Sequence, residues 1–193
     1  MQHSEIYKWV IQDENRKRML ISIQQPMTAK QLSRQIAVSN ETCSYLLGKF
    51  AAIQLCVCLN PEAGNSRLYW MTDIGREIQD NLREEMNLPK WDIGFHSVNW
   101  ALYGWVCYSH RSVVLRALTE PMQPSEIRRK IRHRFSSAKI SANNVRDIIR
   151  LFEKQGIARK VFFRKKAHPR YELTETGLIF QKLLNRAETG LTF

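Results

Sequence analysis

The chain has 193 residues, room for one or two domains, and its 44% hydrophobic and 25% charged content is that of a folded protein rather than a disordered one. Thirty Lys and Arg against eighteen Asp and Glu leave +12 and a pI near 9.8, which points to an anionic partner, nucleic acid or a membrane surface, with an acidic protein as the alternative. No apolar run approaches the ~18 residues of a membrane span, and the first residues lack the basic and apolar regions of a secretory leader, so the expectation is a cytoplasmic, nucleoid-associated protein with reduced Cys43, Cys56, Cys58 and Cys107.

The first elements in chain order are IYKWV at 6–10, then helical runs QPMTAKQLSRQIAV and SNETCSYLLGKFAAI, strands LCVCL and RLYWM, and a last helix TDIGREIQDNL. The same grammar returns about a hundred residues later. A shift of 95 pairs Arg16 with Arg111, Leu20 with Leu115, Pro26 with Pro121 and Ile36 with Ile131; a shift of 102 pairs Leu46 with Ile148, Phe50 with Phe152, Tyr69 with Tyr171, Thr72 with Thr174 and Gly75 with Gly177. The seven extra residues of the second copy fall within 133–140. A period this long is a domain duplication, because solenoid repeats are about half that or shorter. The copies span 1–82 and 102–193, and the aromatic stretch 83–101, with Trp91, Phe95 and Trp100, reads as a packed connector.

In the second copy, 105–118 has helical apolar spacing and stops before Pro121. Pro124 opens a second helix with Ile127 and Ile131 inward, and Ser141 is placed to cap a third, whose Val145, Ile148, Ile149 and Phe152 repeat at i, i+3, i+4, i+7 before Gly156. Residues 157–163 and Tyr171-Glu172-Leu173 then read as a hairpin, and Thr174 as the cap of a final helix.

The spacing S-x-x-x-V-x-x-I-I-x-x-F-x-x-x-G-I at 141–157 and the exit Y-x-L-T-x-x-G at 171–177, echoed as Y-x-M-T-x-x-G at 69–75, resemble the winged-helix domains of MarR-, ArsR- and PadR-type prokaryotic transcriptional regulators. The resemblance covers about four-fifths of the chain. It implies a mainly α protein with small β-hairpin wings (α+β), two tandem winged helix-turn-helix domains, and a double-stranded DNA-binding regulator.

Charge is divided unequally between the copies. Residues 1–100 hold 11 basic and 11 acidic side chains, whereas 101–193 hold 19 and 7. Between Arg128 and Arg170 there are fifteen bases and two acids, Asp147 and Glu153, on the elements that contact DNA in the resembled family. Helix three, 143–155, offers Asn143, Asn144, Arg146, Asp147 and Arg150, side chains whose geometry suits base edges in the major groove. The wing, 164–170, offers Arg164, Lys165, Lys166, His168 and Arg170 for phosphates or a narrow minor groove. Helix two and the insert offer Arg128, Arg129, Lys130, Arg132, Arg134 and Lys139 for phosphates.

The first copy carries Glu41, Thr42, Ser44, Tyr45 and Lys49 on the corresponding helix and NPEAGNS at its wing tip, with no base until Arg67. This neutral module, edged by Tyr7, Trp9, Tyr69 and Trp70, suits homodimerisation or a protein partner, although core packing can explain most of those rings. Cys56-x-Cys58 lacks a second pair or a nearby His for zinc, and no phosphate loop, H-E-x-x-H or His-nucleophile spacing occurs, so the expectation is no enzyme, no metal and no cofactor. Two further readings remain open: a tandem winged-helix interaction scaffold resembling segregation-complex or ESCRT subunits, and a plasmid-type replication initiator.

Overall fold

The computed structural model describes residues 3–89, 98–162 and 168–188. The chain divides into two compact units, Met1–Trp105 with Arg186–Phe193, and Val106–Asn185. Among the described residues it is mainly helical with two antiparallel two-stranded hairpins, the α+β class expected.

In the first unit α1 (His3–Ile11), α2 (Glu14–Ser22), α3 (Ala29–Ile36) and α4 (Asn40–Ala52) precede β1 (Cys56–Cys58), β2 (Tyr69–Met71), α5 (Asp73–Glu85) and α6 (Trp100–Val106). Its core is a single apolar cluster in which Leu20, Leu32, Leu47, Phe50, Ile78 and Leu82 are fully buried. The thiols of Cys43 and Cys56 lie in it, and burial pushes the Cys56 pKa up to about 12.

In the second unit α7 (Ser109–Ala117), α8 (Pro124–Arg134) and α9 (Ala142–Lys154) precede β3 (Ala158–Val161), β4 (Arg170–Leu173) and α10 (Glu175–Arg186). Ile127 and Ile131 of α8 and Val145, Ile148, Ile149 and Phe152 of α9 are buried, as their spacing requires. Each such side chain contributes about 1.5–3 kcal/mol on leaving water. The Ser141 hydroxyl caps α9 by accepting from Asn144 N at 3.1 Å, and Gly156, at φ +68°, takes the left-handed conformation that ends it.

One helix is broken that spacing alone presents as continuous. The run 105–118 is interrupted at Cys107–Tyr108, and α7 starts on Ser109 with φ +29°. The first unit breaks at the matching place, where Asp13 leaves the helix and caps α2 by accepting from Arg16 N. Apolar periodicity passes through such a break unchanged, because both pieces bury the same face. Residues 102–105 therefore pack with the first unit: Tyr103 is fully buried, with its hydroxyl accepting from Gln31 Nε2 at 3.4 Å.

The two units share more than their order. In each, an isolated bridge ties the strand before a helix to the hairpin, Met27 to Tyr69 and Met122 to Tyr171. Thr72 Oγ1 donates to Gln54 O and Thr174 Oγ1 to Gly156 O, while each threonine accepts from the glycine three residues on. Gln79 Nε2 donates to Leu20 O and Ile23 O at 2.6 and 3.0 Å; Gln181 Nε2 donates to Leu115 O and Leu118 O at 2.7 and 3.0 Å. In both, a last-helix glutamine satisfies carbonyls left open at a helix C-terminus.

Gly75 and Gly177 are required by close approach. A Cβ on Gly75 would lie 1.9 Å from Leu55 O, and one on Gly177 would lie 2.2 Å from Ile157 O. Backbone cannot yield cheaply there, so Gly177→Ala is expected to cost about 2–3 kcal/mol, read as a lower urea midpoint with an unchanged slope. A parent-like midpoint would show that the helix can shift.

Candidate nucleic-acid interface

The candidate surface is built on α9, α8 and the base of the second hairpin. Burial of the four apolar residues of α9 fixes which side faces outward: Asn143, Asn144, Arg146, Asp147 and Arg150 are all exposed. Arg146 Nη1 donates to Asn143 Oδ1 at 3.4 Å, and Arg150 Nη1 lies 3.8 Å from Asp147 Oδ1 with both side chains well exposed. Exposed i, i+3 pairs are worth about 0.5 kcal/mol or less, so an incoming acceptor displaces them at little cost. Leu151, 40% exposed, lies beside Arg150. Reading the spacing for core alone misses it; an apolar residue outside the i, i+3, i+4, i+7 set was the available signal, and such a side chain suits a thymine methyl.

α8 is longer than α3 by a turn. Where Ala37 adopts φ +54° and ends α3, the matching Arg132 continues the helix, adding Arg132, His133 and Arg134 to an exposed end. Arg129, Arg132, Arg134 and Lys139 are exposed, whereas Arg128 is half-buried with its Nε shielded from solvent. An open cleft of about 510 Å³ lies between α8 and the hairpin, lined by Glu120, Met122, Glu126, Arg129, Lys130, His133 and Arg170.

Arg170 is a structural tie as well as a base. Its guanidinium donates to Pro121 O at 2.8 Å and pairs with Glu126 Oε1 at 3.0 Å, and the other Glu126 oxygen accepts from Gln123 N at 2.7 Å. Arg170 thus anchors the hairpin to the start of α8. On β3, Arg159 pairs with Glu172 at 2.6 Å and Lys160 with Glu153 of α9 at 3.0 Å; the Glu153 carboxylate holds the Lys160 pKa above its ordinary range. Phe162, just past β3, is 64% exposed. Alternation on the strand gave no reason to single it out. Arg164, Lys165 and Lys166 lie outside the described residues, and His168 is exposed.

The matching surface of the first unit differs in kind. The loop after β1 closes on itself: Asn60 Oδ1 accepts from Leu68 N, Asn60 Nδ2 donates to Ser66 O, and Arg67 Nε donates to Ala63 O. The aromatic edge that suits a partner also packs against the core, its four rings half-buried. Trp9 meets Phe50 edge-on beneath Arg16, Tyr7 bonds Glu85, Tyr69 pairs with Met27, and Trp70 lies under Arg76. Of the connector, 83–89 and 98–101 are described: α5 continues to Glu85, Arg83 is fully buried, donating to Ile21 O and Pro89 O, and Trp100 opens α6 with its ring edge-on to Tyr103. Trp91 and Phe95 lie outside the described residues.

Among the described residues no helix is long and apolar enough to cross a membrane, and no group of three His, Cys, Asp or Glu is placed to hold a metal ion. Comparisons with protein-family models, with curated proteins and with solved structures find no match to the chain.

Proposed function

We propose that the protein is a double-stranded DNA-binding transcriptional regulator made of two tandem winged helix-turn-helix domains that arose by duplication. The observation that carries this reading is the coincidence of charge and shape: the entire +12 excess belongs to 101–193, and most of it falls on α8, with five bases and one acid, and on 158–173, with six bases and one acid, the segments that flank the well-capped α9, whose own exposed face presents Asn143, Asn144, Arg146 and Arg150 at a net charge of only +1. In this reading α9 enters the major groove, Asn143, Asn144, Arg146 and Arg150 meet base edges, and Arg129, Arg132 and Lys139 hold phosphates. Arg128 and Arg170, being partly enclosed, set the position of α8 and the wing, and Arg164, Lys165 and Lys166 supply the wing's charge. The matched threonine and glutamine contacts of the two units support duplication, since nothing in their chemistry demands the same residue in both places.

The reading is tested by selecting duplexes from a random pool with the full chain at near-physiological salt. One enriched motif is expected. A palindrome fits a dimeric repressor or activator, and direct repeats fit a replication initiator. A pool with no enriched motif overturns sequence-specific binding. The interaction-scaffold reading draws on the neutral first unit alone, and it would gain if a stoichiometric acidic partner were captured free of nucleic acid.

A further inference from the structure

We propose that the outer face of α4 is the surface through which two copies of this chain associate. Cys43, Leu46, Leu47 and Phe50 bury one side of α4, which leaves Glu41, Ser44, Tyr45, Gly48 and Lys49 on the surface. Tyr45 is 63% exposed, while the other aromatic side chains considered for a partner in this unit pack onto its core. A large amphipathic ring held in water on a regular helix is a typical anchor for a protein interface.

Gly48 lies beside it in mid-helix, where glycine costs about 1 kcal/mol relative to alanine. A Cβ there would meet nothing within 4 Å, so no packing inside the chain calls for glycine. The result is a hole next to a knob.

The charges on this face select the occupant. Glu41, Tyr45 and Lys49 stand at i, i+4 and i+8, along one line of the helix, with an acid at one end and a base at the other. If a second α4 runs antiparallel across a two-fold axis at Tyr45, Glu41 of each copy faces Lys49 of the other, and both ion pairs form at once. A polyanion would be attracted at one end and repelled at the other. Residues 1–100 carry no net charge, so two copies meet here without the repulsion their basic parts would impose.

One helix face is smaller than the ~800 Å² per partner of a standard interface, so the association proposed is a weak, reversible one.

The test is sedimentation of the full chain without nucleic acid, so it stands apart from the DNA reading, at about 5 to about 500 µM, the range such an interface calls for. The parent is expected to dimerise. Glu41→Lys and Lys49→Glu each oppose like charges twice and should weaken association about tenfold or more. Mixing the two single variants should give a heterodimer, and the double variant E41K/K49E should recover the parent's association. Gly48→Arg fills the hole and should abolish association, with circular dichroism confirming an intact fold. A parent monomeric throughout the range overturns the proposal, as do single variants that associate like the parent or a mixture that forms no heterodimer. A monomeric parent that loses duplex affinity in K49E would assign α4 to DNA instead.

Discussion

Replacing Arg164, Lys165 and Lys166 together by Ala is expected to weaken binding to every duplex by about 100-fold at moderate salt and to lower the slope of log affinity against log salt by about three, with the preferred sequence unchanged. The effect is electrostatic. Phosphate contacts release condensed counterions, each neutralised phosphate contributes nearly one unit of slope, and no base identity is read in the process. Three adjacent bases in the segment that joins β3 to β4, the latter tied down through Arg170 to Glu126 and Pro121, can act together on the backbone. Titrations of parent and variant against specific and scrambled duplexes would check this. Equal affinity in variant and parent would remove the wing from the interface.

The second large effect concerns sequence preference. Asn144→Ala and Arg150→Ala should each erase discrimination at one base position, a loss of about 1–3 kcal/mol there, while affinity for scrambled duplex falls much less. Both side chains project from the exposed side of α9. Among the described residues Arg150 pairs with an exposed Asp147 at 3.8 Å, a contact weak enough for it to reorient toward a guanine at small cost. Competition with single-base-substituted sites measures the outcome. If both variants keep the parent's preference at every position, α9 does not read bases.

What was legible in the chain followed from periodicity and punctuation. Val145, Ile148, Ile149 and Phe152 declared both a helix and its buried side, Ser141 and Gly156 its ends, and Thr174 the start of the last helix. These are local rules, each satisfied within a few residues. The break at Cys107–Tyr108 was not legible, because a helix interruption that keeps the apolar face aligned leaves the pattern intact. The packing of 102–105 with the first unit was hidden for a related reason: Tyr103 is buried beside Gln31, seventy-two residues earlier. The last-helix amides of Gln79 and Gln181, which bind carbonyls about sixty residues away, likewise carry no local signature.

The surface was legible in charge and less so in role. Counting bases located the basic side of the molecule, yet a count treats Arg170 and Arg129 alike, although one is held by Glu126 and Pro121 and the other is exposed. The exposure of Phe162 is a property of the folded packing and not of its residue type, whereas Leu151 is marked in the sequence as an apolar residue outside the buried set of α9.

The central claim is that this chain binds duplex DNA through its basic second half. Its most direct test is the affinity of the full chain for a mixed-sequence duplex as salt rises from about 50 to about 200 mM. A fall of about 100-fold or more, with the slope reduced in charge-neutralised variants of α8, α9 and the wing, is the expected result. No duplex binding at the lowest salt, or an affinity indifferent to salt, would contradict the account.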